Sequence, residues 1–235
     1  MSNLITLEAV DVDGAVREAE AGALGAAFDR GQFIKRGAVA GGSFLAAGVL
    51  FSGLGSPAEA AISTSRSSKR NDVKILNYAL TLEYLESAFY DQAVANNAIG
   101  SPEARAFANA VRVHEAAHVK YLQKVLGKAA IKSPKFDFGD TVINAQKFQQ
   151  TAQVLEDTGV AAYAGQGPNI SQKAVVKAAL SIHSVEARHA AWIRFLNGGG
   201  AANASTAGQP APAAFDKPKS EKAVLKAVAG TKFIK

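Results

Sequence analysis

The sequence predicts an all-α protein, an up-and-down four-helix bundle followed by a short C-terminal helix or tail. Three observations carry this. Four long segments place apolar residues at three- and four-residue intervals, the period of a helix with one buried face. A spacing pattern occurs twice: Glu83 then Tyr90 seven residues on, followed by Glu115 and His118; Glu156 then Tyr163 seven residues on, followed by Glu186 and His189. And 48% of the 235 residues are hydrophobic while only 8% are aromatic, a small-residue composition that suits closely packed helices.

Residues 1–29 are acidic and polar, a lead without a strong fold signal. Arg30, Lys35 and Arg36 then precede an uncharged run from Gly37 to Ala58, which closes on Ala58-Glu59-Ala60, a small-x-small pattern that a signal peptidase can cut. The stretch Arg30-Gly31-Gln32-Phe33-Ile34-Lys35 resembles a twin-arginine export signal, with Gly31 where the second arginine is expected. Residues 1–60 are therefore expected to be an export signal removed after Ala60. The alternatives are a retained membrane anchor, since about 20 apolar residues can span a bilayer, or a cytoplasmic protein. Six glycines in the run weaken the anchor.

Residues 61–70 form a polar linker, and the bundle is expected over 71–200. Helix one starts near Asn71 or Asp72, both good N-cap types, and runs to Asn96 or Asn97 before Gly100. Ser101 caps helix two, with Pro102 at its first position, and the helix ends near Gly127. Residues 128–140 make a longer crossing connection. Helix three spans about Thr141 to Ala164 and is ended by Gly165, Gly167 and Pro168. Ser171 opens helix four, which stops at Gly198-Gly199-Gly200. Residues 201–235 form the tail, with a short helix over Ser220 to Val228. Phe215, Phe233 and Ile234 either dock it on the bundle or leave it loose.

The repeated pattern reads as an internal duplication, two helical hairpins related by a pseudo-twofold axis. Its chemistry follows from helix geometry. Positions i and i+3 share a face, so Glu115 with His118 can grip one ion and Glu186 with His189 another. Glu83 and Glu156 add carboxylates from the other two helices, and one of them could bridge both ions. All four glutamates fall on apolar faces: Ala79, Leu80, Glu83, Ser87 and Tyr90 share one, and Ala108, Val111, Glu115, His118 and Leu122 a second. Ala152, Glu156, Gly159 and Tyr163 share the third, and Ala179, Ile182, Glu186, His189 and Ile193 the fourth. A single Glu-x-x-His arises often by chance, and a lone helical glutamate is usually solvated. Four buried carboxylates without a cation, however, would cost several kcal/mol each. Oxygen and nitrogen donors without thiolate suit iron or manganese, with zinc as a third option.

Cysteine is absent, which removes disulfides, thiolate metal sites and a built-in rubredoxin-type iron centre. Residues 1–60 carry four basic and seven acidic side chains; the remainder carry 22 basic and 13 acidic. The lysines lie at helix-surface spacing and read as a solvated face, with no specific nucleic-acid signal.

The stretches from Leu76 to Glu86, His114-Glu115-Ala116-Ala117-His118, and Leu155 to Tyr163 resemble the ferritin-like superfamily, and within it the exported group that includes desiccation-related proteins. The resemblance covers about residues 71–235. It implies a ferritin-like bundle with Glu83, Glu115, His118, Glu156, Glu186 and His189 as ligands to two ions. It also implies that Tyr90 and Tyr163 hydrogen-bond to opposing carboxylates. Glu86 stays open between ligand, partner of a ligand, and surface residue. His114 reads as a surface or packing residue rather than a ligand, and His183 as packing before entrance lining.

The expected function is that of a dinuclear iron or manganese protein, redox-active in stress protection, consuming peroxide or oxidising the metal itself. The alternative is a stress protein that binds and sequesters metal without turnover. Expected partners are metal ions with peroxide or dioxygen, a membrane only if the N-terminal segment is retained, and at most a few copies of the chain.

Overall fold

The computed structural model describes residues 61–97, 99–198 and 209–235. The export or anchor segment expected over 1–60 and the tail residues 199–208 lie outside these. Five α-helices are present among the described residues: α1 (Lys69–Ala95), α2 (Pro102–Leu126), α3 (Ala145–Gln166), α4 (Lys173–Asn197) and α5 (Glu221–Thr231). Helices α1 and α2 pair as one hairpin and α3 and α4 as another; α1 also lies beside α3, and α2 beside α4.

The caps explain where the helices begin, and they correct the predicted starts of α1, α3 and α4. Ser68, not Asn71 or Asp72, caps α1: its hydroxyl accepts from the Asn71 amide. Asp72 is fully buried and serves the far hairpin instead. It accepts from the Ser171 amide at 2.8 Å, the Ser171 hydroxyl at 2.8 Å, the Gln172 amide at 3.0 Å and the Gln172 side chain at 3.0 Å. The N-cap of α4 is therefore Gln172 rather than Ser171, and its side chain makes no cap bond because a carboxylate from α1 does so. Burial pushes the Asp72 carboxyl up, but these donors outweigh it and hold it below its ordinary value.

Helix α2 begins and ends where its Ser101-Pro102 start and Gly127 stop predict. Gly127 sits at φ 53°, a conformation that favours glycine. The connection that follows returns along α1. Asn77 in α1 donates to the Ala129 carbonyl and accepts from the Ile131 amide, both at 2.9 Å. The Tyr84 hydroxyl donates to the Ile131 carbonyl, Phe138 packs on Phe89, and Asn96 reaches the Val142 carbonyl. The chain thus travels the length of α1 before α3 starts, so α2 and α3 run parallel while α1 opposes both. A short 3-10 turn over Gly139–Val142 occupies the predicted start of helix three, and Asn144 caps the true one.

Helix α3 continues through Gly165 to Gln166. The glycine does not stop the helix; it lets the tail cross it. A Cβ there would lie 1.9 Å from the Lys219 carbonyl oxygen, and the Lys219 amide donates to the Ala161 carbonyl. The tail is docked: Phe233 packs edge-on against Phe138, and Phe136 and Ile234 form an antiparallel bridge. Phe215, in contrast, is exposed. With the crossing segment on its outer side, α1 is buried along most of its length, and every residue from Ile75 to Glu86 is buried whichever face it is on.

Candidate metal centre

Each of the four long helices delivers its predicted carboxylate to the bundle interior. Glu83, Glu115, Glu156 and Glu186 are all 0% exposed, His189 is 3% and His118 9% exposed. The side chains form two overlapping groups, one of Glu83, Glu115, His118 and Glu186, the other of Glu115, Glu156, Glu186 and His189. Within each, one ligating atom from every residue lies within 4.8 Å of all the others. Glu115 and Glu186 belong to both groups. The sharing falls on the two Glu-x-x-His glutamates, whereas the sequence had suggested Glu83 or Glu156 as a bridge. The reason is tertiary: α2 and α4 lie side by side, so their glutamates meet between the two positions.

The donor set fits a pair of cations on several grounds. His118 Nδ1 lies 3.2 Å from Glu83 Oε2, 3.1 Å from Glu115 Oε2 and 3.2 Å from Glu186 Oε1. His189 Nδ1 lies 3.1 Å from Glu115 Oε1 and 3.2 Å from Glu156 Oε2. One N–H can be shared between two oxygens only in a weakened three-centre bond, and His118 Nδ1 faces three. Ligand atoms at right angles on an ion, with bonds of about 2.1 Å, stand about 3 Å apart, which matches these separations. Glu115 Oε1, Glu156 Oε2, both Glu186 oxygens and His189 Nδ1 are buried without a hydrogen-bond partner among the described residues. Four carboxylates balance two divalent charges. The buried Glu/His groups can hold metal ions.

The electrostatics agree. Burial lowers the His118 imidazole, but Glu115, Glu186 and Glu83 outweigh it and lift it to about 12. His189 is likewise lowered by burial and raised by Glu115 and Glu156, to about 10. Burial drives the Glu83, Glu156 and Glu186 carboxyls upward. Glu115 resists burial and shifts downward, because both imidazoles flank it. Protons do here what a cation would do.

The tyrosines stand where the resemblance implied. The Tyr90 hydroxyl donates to Glu156 Oε1 and the Tyr163 hydroxyl to Glu83 Oε1, each across to the opposite hairpin. Burial and the facing glutamate hold both phenols protonated. This reciprocal pair is the pseudo-twofold relation expected from the duplication.

Glu86 is not a surface residue. It is 3% exposed and stands outside the two four-residue groups. Burial first, then Glu186, pushes its carboxyl well above the ordinary range. Its counterpart in α3 is Gly159. A Cβ at Gly159 would lie 2.8 Å from Glu186 Oε2 and 3.3 Å from Glu86 Oε1, so the glycine makes room for both carboxylates. His183 Nδ1 is buried without a partner among the described residues and joins neither group. His114 is where sequence reasoning fell short. It joins neither four-residue group, but its Nδ1 lies 2.9 Å from His189 Nε2. The available signal was its place one turn before His118.

The fold and this core define a class: a helical bundle with a carboxylate–histidine centre drawn from all four long helices. Residues 71–199 match the ferritin-like domain family, more than half of the chain, and the chain belongs to that family. No protein of curated function matches it in sequence.

Proposed function

We propose that this chain is a dinuclear iron or manganese protein that acts outside the cytoplasm in stress protection, consuming peroxide or oxidising the metal itself. The observation that carries the reading is the pair of overlapping donor groups that share Glu115 and Glu186. Glu83 and His118 would complete one position, Glu156 and His189 the other. Bound there, two such ions supply two-electron exchange with peroxide or dioxygen.

The residues around the site support that chemistry. Tyr90 and Tyr163 orient Glu156 and Glu83, so the outer carboxylates are held before any ion arrives. The apolar packing of Phe89, Phe107 and Phe148 beside Tyr90 keeps water from one end of the site. Location rests on the export-like pattern from Arg30 to Ala60. Among the described residues no helix is long and apolar enough to cross a membrane.

The test is to load the metal-free chain with Mn²⁺ or Fe²⁺, add hydrogen peroxide, and follow peroxide loss and oxygen release. Loss of many peroxides per ion pair, abolished by Glu115→Ala with Glu186→Ala, is the expected outcome. Loss that stops at the amount of bound metal would reject turnover and favour sequestration. Failure to bind metal at all would reject the reading.

A further inference from the structure

The duplication breaks beside the metal centre. His114-Glu115-Ala116-Ala117-His118 in α2 is matched in α4 by Val185-Glu186-Ala187-Arg188-His189. Valine stands where the first copy has histidine. His114 reaches across from α2 to the outer nitrogen of His189 in α4, with 2.9 Å between His114 Nδ1 and His189 Nε2. The ring planes are 10° apart and the centroids 5.1 Å apart. Parallel rings piled face to face cannot bring nitrogens that close, because the faces themselves would collide. The rings therefore meet edge to edge, as hydrogen-bonded partners.

The chemistry of ligation gives this bond a direction. His189 turns Nδ1 toward Glu115 and Glu156, so Nδ1 is the ligating atom and must lose its proton to bind an ion. The remaining proton sits on Nε2, which donates to His114 Nδ1. The bond selects the ligating tautomer and fixes the ring, as partners of metal-bound histidines do generally. The Val185 side chain can accept nothing, and among the described residues no hydrogen bond is made by His118 Nε2. His118 is also the more open of the two, 9% exposed against 3%.

We propose that the two ion positions are unequal: His114 is a positioning residue that locks His189 as a ligand. The position built on Glu115, Glu156, Glu186 and His189 fills first and holds its ion. The position built on Glu83, Glu115, His118 and Glu186 is the weaker and exchangeable one. This rests on the dinuclear reading above. It separates a retained ion from one that can be lost and regained, using a difference of one side chain between two otherwise matched hairpins.

Calorimetric titration of the metal-free full chain with Mn²⁺ tests it. Wild type should bind two ions in two steps. His189→Ala should remove the tight step and His118→Ala the weak one. His114→Val, which copies the other hairpin, should weaken the tight step about tenfold or more and leave the weak step in place. His114→Asn, whose Oδ1 can accept in place of Nδ1, should recover most of the loss. Circular dichroism of the metal-free variants checks that each is folded; His114 lies at the surface, so both should be. Two equal steps in wild type would overturn the inference while leaving the dinuclear reading intact. So would a tight step unmoved by His114→Val, or an Asn variant no better than Val. Absence of any Mn²⁺ binding by wild type would overturn both together.

Discussion

Metal loading should expel protons, and the structure sets a lower bound on how many. In the metal-free core His118 and His189 are raised to about 12 and about 10, so both are imidazolium at neutral pH. Each must lose one proton to become a ligand. Protons held on Glu83, Glu156 and Glu186, all shifted upward, can only add to the count. Filling both positions therefore releases at least two protons. The joint binding constant should then rise at least ~100-fold per pH unit around neutrality, because each released proton contributes a factor of about ten per unit. Titration with Mn²⁺ at one pH in two buffers of different ionisation enthalpy counts the protons directly. The same cause gives the opposite trend in the metal-free chain. A histidine raised on folding contributes stability in full below its ordinary value of 6.5, and this is lost as pH climbs through the raised values. The metal-free protein should thus weaken progressively as pH rises from about 6.5 toward about 10, while the loaded protein gains. Release of less than about one proton per chain, or affinity that does not change with pH, would refute a core held together by protonated histidines.

Three further perturbations address separate parts of the site and its frame. Tyr90→Phe and Tyr163→Phe should each weaken Mn²⁺ binding about tenfold, because Glu156 and Glu83 lose the donors that orient them; unchanged affinity in both would reduce the rings to core packing. Gly159→Ala should impair metal binding in calorimetry through its approach to Glu186 and Glu86, even though alanine is the better helix former by about 1 kcal/mol; full retention of binding would show that those carboxylates can yield. Asp72→Ala should cost about 3 kcal/mol in urea unfolding, since two backbone amides and two side-chain donors of the α4 start lose a charged partner; a loss under about 1 kcal/mol would mean that water replaces it.

The residues of the candidate metal centre were legible in the sequence because helical periodicity is local. Residues three apart share a face whatever surrounds the helix, so Glu115 with His118 and Glu186 with His189 could be paired on spacing alone. Glu83 and Glu156 followed from their apolar faces and their matched distance to Tyr90 and Tyr163. Cap and stop chemistry placed α2 almost to the residue for the same local reason. What the tertiary structure decided were the relations between segments distant in the chain. Asp72 looked like a cap for its own helix and caps α4, because a carboxylate binds whichever amides the fold brings to it. Gly165 looked like a stop and is a crossing point, because the need for a small residue came from Lys219, over fifty residues away. Glu115 and Glu186 became the shared carboxylates only once α2 and α4 lay side by side. His114 gained its partner in the same way, since a histidine one turn from a ligand has no chemistry of its own until another helix sets a ring against it.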